Sequence, residues 1–148
     1  MSTAVALTLW WAHAASAVVW IGGIFFMVVI AMPAAFGSGE GGPKALGAMG
    51  RRFSPAADAS IVLLVFTGAL MFISGTGLRA PSAFQLLKIA AASSMIAVHY
   101  YRGKGIPLQA ARAEGAAKER LQRLSANLAR LNLGLGFIII LVSGVLVK

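Results

Sequence analysis

The sequence predicts an all-α integral membrane protein: four apolar helices gathered into one bundle, with the N-terminus and the C-terminus outside. Three observations predict it. Apolar residues make up 59% of the 148-residue chain and charged residues only 11%, against about 25% charged in a soluble domain. Mean hydropathy is +0.83, more apolar surface than a water-soluble globule of this size can hide and far too much for a disordered chain. Most of the charges gather in two stretches that separate long apolar runs.

The first span is read over residues 5–32. No charged residue precedes Glu40. Without a basic start and a short apolar core, the segment reads as a retained helix rather than a signal peptide. Trp10 and Trp11 fit an interfacial aromatic belt near its start, and Pro33 is expected to end it. A cytoplasmic loop is expected over 33–54, with Gly37, Gly39, Gly41 and Gly42 around Glu40. Ser54-Pro55 followed by Asp58 reads as a helix start, with Ser as N-cap, Pro at the first position and an acid in the first turn. The second span is then 57–78. Gly75, Gly77 and Pro81 mark a tight turn carrying the single charge Arg79. The third span, 82–101, carries Lys88 and leaves through Tyr100, Tyr101 and Arg102. The second cytoplasmic loop, 102–126, contains Pro107, and its composition beyond that residue predicts a helix emerging from the membrane. The fourth span is 127–147, ending at Lys148.

Charge sets the orientation. The first loop holds Lys44, Arg51 and Arg52, and the second holds Arg102, Lys104, Arg112, Lys118, Arg120 and Arg123. The turn between them holds only Arg79, and the N-terminal tail holds none. The positive-inside rule then puts both loops in the cytoplasm and both termini outside. The net charge of +9 is thus read as topology: the expected partner is the lipid bilayer, not nucleic acid. The absence of cysteine excludes disulfides, thiolate metal sites, iron–sulfur clusters and haem attached through Cys-x-x-Cys-His.

Polar side chains inside spans are costly and mark candidate sites. His13, Lys88 and His99 stand out, and they are also the residues best suited to ligate a metal or haem iron. His13 and Lys88 both lie in helices expected to enter from outside, which puts them in the outer half. His99 lies near the inner surface. Lys88, Ala92, Met95 and His99 share one helical face, as do His13, Trp20, Ile24 and Met27. Gly22 and Gly23, and Ala90 to Ala92, suit close helix contact. Each candidate also has a plainer role. His99 fits an interfacial anchor, Lys88 can snorkel to the surface, and His13 fits a hydrogen-bonded core histidine. Met27, Met71 and Met95 suit packing or a soft-metal path. Arg51 and Arg52 suit topology or pairing with a haem propionate.

Several short stretches resemble the bacterial copper-resistance protein D family. They are the run from His13 through Trp20-Ile-Gly-Gly-Ile-Phe-Phe, Arg52-Phe53-Ser54, Thr67-Gly68, Ala97-Val98-His99-Tyr100, and Asn132-Leu-Gly-Leu-Gly. Together they cover nearly the whole chain. The layout also looks like the HemJ-type protoporphyrinogen oxidases, although it lacks their Leu-Pro-Arg after the first helix and their Asn-Glu-x-Pro before the fourth. That second resemblance implies a b-type haem, with His13 and Lys88 at the positions of its key residues, and a haem-dependent oxidoreductase. Both imply a multi-pass protein of the bacterial inner membrane.

Three readings follow. The first is a haem b protein in membrane electron transfer, with His13 as axial ligand, Lys88, His99 and Arg52 as further cofactor-binding candidates, and a redox partner or quinone. The second is copper transport or resistance through His13, Met27, Met95 and His99. The third is a structural subunit of a membrane complex or homo-oligomer. No catalytic residue is assigned.

Overall fold

The computed structural model describes residues 2–39, 41–76 and 80–146. Glu40, residues 77–79 with the turn charge Arg79, and Lys148 lie outside the described residues. Helices are α1 (Thr3–Phe25), α2 (Met32–Gly37), α3 (Gly41–Thr76), α4 (Ala83–Tyr100), α5 (Ile106–Ala110) and α6 (Gly115–Leu146). A π-helical turn, Phe26–Ala31, joins α1 to α2, and another, Tyr101–Gly105, joins α4 to α5. No strand occurs among the described residues, so the all-helical class stands. The chain forms two compact units, Met1–Pro81 and Ser82–Lys148.

Three helical runs are long and apolar enough to cross a membrane: Thr3–Gly37 and Gly41–Gly75, of 35 residues each, and Gly115–Val145, of 31. At about 1.5 Å per residue each is longer than a hydrocarbon core of about 30 Å. The fourth expected span, α4, has 18 residues and carries Gln85, Lys88, Ser93, Ser94 and His99, which lowers its apolar content.

The first unit is a helical hairpin. Ser2 caps α1, its side chain accepting from the Val5 N–H. Gly39, with φ of 70°, follows the last residue of α2 and its cap Ser38 in the left-handed conformation that ends helices. Gly42 then lies against the Ala35 carbonyl, too close for any side chain there. Trp20, Ile21 and Ile24 of α1 are buried, as are Ala57, Ser60, Ile61 and Thr67 of α3. The Phe53 ring lies directly over Gly23, whereas Gly22 faces open space. Of the two glycines expected to permit close contact, Gly23 alone is so used.

Two expected boundaries move. Pro33 does not end the first helix. The π-turn ahead of it lets the Met32 N–H bond to the Met27 carbonyl, five residues back. This wider turn moves the carbonyl that a proline ring would otherwise meet. The stretch 33–54 is likewise not an irregular loop. Its described residues are helical outside a short turn at 38–39, α3 begins at Gly41, and Pro55 lies inside it. Ser54-Pro55 has the composition of a helix start, but packing of Phe53 on Gly23 and Met27 near Gly50 extends the helix upstream. Tertiary contact here outweighs a proline cost of about 3 kcal/mol.

The second unit is also a hairpin. Ser82 and Gln85 form a reciprocal capping box at the start of α4, with the Ser82 N–H donating to Gln85 Oε1 at 2.7 Å. A π-turn again precedes a proline: the Ile106 N–H bonds to the Tyr101 carbonyl, and Pro107 follows. The expected loop 102–126 is mostly helical, with α5 and the first turns of α6 flanking a short turn at 111–114. A helix beyond Pro107 is therefore present, as the N-terminal part of α6. Ala91 and Met95 of α4 and Ala129, Asn132 and Leu133 of α6 are buried.

Candidate cofactor site at His13

Hydroxyls in these apolar helices are mostly satisfied by their own backbone. Thr8, Ser16, Thr67, Ser94 and Ser143 each donate to the carbonyl four residues back, a standard solution where water is absent. Thr67 does a second thing. Its Oγ1 lies 2.9 Å from His13 Nδ1. The hydroxyl proton goes to the Leu63 carbonyl at 2.5 Å, so Oγ1 accepts and His13 Nδ1–H donates. This geometry matches the Nδ1–H tautomer of a neutral imidazole, in which the lone pair is on Nε2.

The setting of this bond is tight. Thr67 is 3% exposed and cannot easily turn away. The next residue, Gly68, lies beside the imidazole: a Cβ there would come 3.2 Å from His13 Cε1. Thr67 and Gly68 thus act on one ring, Thr67 as acceptor and Gly68 as space. A histidine oriented at one nitrogen by a buried acceptor and carrying its lone pair on the other is the usual arrangement of a metal or haem ligand.

The other candidates in this unit stand apart from His13. Met27 is half-buried, on the same side as Trp20 and Ile24, but 14 residues from His13, about 21 Å along the helix. It cannot share a coordination sphere with His13. Arg52 is exposed and 15 residues from Thr67, about 22 Å along α3. It lies too far from the imidazole to act at the same ring.

The second unit holds Lys88, Met95 and His99. Met95 is fully buried and Lys88 and His99 are half-buried, as expected for one shared face. The His99 ring stacks edge-on against Tyr100, centroids 5.3 Å apart. Lys88 and His99 are 11 residues apart, about 16 Å, and serve no common ion. Among the described residues no group of three or more His, Asp or Glu is placed to hold a metal ion.

Two features were not foreseen. In the sequence Thr67 stands only within a short motif, because a threonine that satisfies itself does not stand out in an apolar run. Asn132 is 1% exposed, and its Oδ1 has no hydrogen-bond partner among the described residues. An amide inside an apolar helix is itself a signal of costly burial. At the far end of α4, Arg102 Nε donates to the Ser125 carbonyl of α6 at 3.0 Å. Burial pulls this guanidinium below its ordinary value, yet it stays charged at any physiological pH.

No family model, curated protein or solved structure matches the chain.

Proposed function

We propose that the chain is a four-span protein of the bacterial inner membrane that binds a b-type haem through His13 and serves in membrane electron transfer. The observation that carries this reading is the His13–Thr67 hydrogen bond. It prepares one imidazole nitrogen as a ligand in a chain with no alternative metal cluster among the described residues. In this reading Thr67 holds the tautomer and the ring orientation. Gly68 leaves room for the ring, and the apolar helices keep water away and so influence the potential. The haem, when bound, supplies a one-electron couple.

The membrane placement has its own support. α4 packs along α6 within one hairpin, and α6 is long and apolar enough to cross, which supports a fourth crossing by α4 beside it. Each hairpin also carries most of its cations toward its closed end: Lys44, Arg51 and Arg52 in the first, and six between Arg102 and Arg123 in the second. With cations held on the cytoplasmic side, both termini lie outside. The exposed pair Trp10 and Trp11, with ring centroids 5.1 Å apart, suits the outer interface.

Colour is the test. Protein purified in mild detergent from haem-replete cells should show a Soret band, with b-type bands on dithionite reduction. Colourless protein that takes up no haem on titration would overturn the reading.

A further inference from the structure

The basic end of the second hairpin contains a charge that no described carboxylate of that hairpin neutralises. Arg102 is half-buried and follows directly on Tyr100 and Tyr101, at the end of the apolar part of α4. Its Nε is committed to the Ser125 carbonyl at 3.0 Å, which fixes the plane of the guanidinium. A carbonyl contributes a dipole but no charge, and no carboxylate faces Arg102 among the described residues. Residues 82–148 contain only two acids, Glu114 and Glu119. Glu119 lies 3.8 Å from Arg123, and Glu114 is exposed in the turn before α6.

The neighbourhood is ordered rather than a loose basic tail. Gln109 Nε2 donates to the Tyr101 hydroxyl at 3.3 Å, and the Tyr101 ring covers Gly105. Lys104 Nζ sits 5.3 Å over the Tyr100 ring. Gly103, between the two cations, has open space where a side chain would stand. A partly desolvated guanidinium with one edge held by the protein and its terminal nitrogens still able to donate suits an oxyanion. At the level of the tyrosine belt, the abundant oxyanion is the headgroup phosphate of an anionic lipid.

We infer that Arg102, held by the Ser125 carbonyl at the end of α4, seats the phosphate of an anionic phospholipid headgroup. The inference rests on the membrane placement proposed above and not on the haem. Lys104 adds charge nearby, and the bare backbone at Gly103 lets a headgroup approach. The site draws one lipid class to the cytoplasmic end of the hairpin.

The full-length protein, stripped of lipid in mild detergent, is titrated with phosphatidylglycerol or phosphatidylcholine, and bound lipid is counted by native mass spectrometry. Phosphatidylglycerol, whose headgroup is net anionic, should bind about tenfold more tightly than phosphatidylcholine, whose choline cation offsets the phosphate charge beside Arg102 and Lys104. Arg102→Gln should lose that preference, whereas Arg120→Gln, on the exposed part of α6, should keep it. If Arg102→Gln does not fold, Arg102→Lys replaces it: without the planar fork it should bind phosphatidylglycerol several-fold more weakly. Wild-type binding by the Arg102 variants, or equal binding of the two lipids, overturns the inference. So does displacement of the lipid by millimolar inorganic phosphate, which would make the seat one for a soluble anion. Release of the wild-type protein from membranes by alkaline carbonate would be a separate failure, that of the membrane placement.

Discussion

At the scale of single residues, the account turns on a ring held at one nitrogen. His13 was legible in the sequence because an imidazole in an apolar run has few reasons to be there. Its orientation was not, because the acceptor lies 54 residues away on a threonine that also serves its own helix. The pair makes a sharp prediction. Thr67→Val keeps the side-chain shape and removes the acceptor, so haem affinity should fall about 10–100-fold, as for other outer-shell partners. Thr67→Ser keeps the acceptor and should stay within a few-fold of wild type. Haem titration of the apoprotein followed at the Soret band gives both values. Equal affinity for the valine and serine variants would show that the hydrogen bond does not act on the ligand.

At the scale of elements, local signals were read correctly where nothing competed with them and misread where packing did. The third span was expected from residue 82, and α4 is capped by Ser82, in a reciprocal capping box with Gln85. Ser54-Pro55 carried an equally good start signal, yet α3 begins at Gly41. Pro33 and Pro107 carry ordinary stop signals, but each is preceded by a π-turn that lets the helix continue. Nothing in composition distinguishes those prolines from terminators. What extends the first hairpin is contact between its two arms, above all Phe53 on Gly23. Gly23→Val should therefore destabilise the protein by about 1–3 kcal/mol, the usual cost of overpacking. Gly22→Val, facing open space, should change stability by no more than about 0.5 kcal/mol. Adding Phe53→Ala to Gly23→Val should recover part of the loss, because the two sites share one contact. Thermal unfolding in detergent separates these cases, and equal losses from the two valine variants would refute the packing.

At the scale of the whole molecule, the all-helical class and three long apolar helices were legible because the hydrocarbon requirement is written in composition. Partner choice was not, since no sequence pattern here says which residue faces which across a hairpin. Orientation is a whole-chain property set by the cations, and the absence of native cysteine makes it simple to test. Single cysteines at Ser2 and Gly115 should react with an impermeant thiol reagent in intact cells at Ser2 only, and labelling at Gly115 alone would invert the topology. The central claim, that His13 holds the cofactor, has the most direct test. Haem per chain is measured by pyridine haemochrome in wild type and in His13→Ala, with membrane insertion checked for both. The expected result is about one haem per inserted wild-type chain and none in the variant. Full haem content in an inserted His13→Ala protein would contradict it.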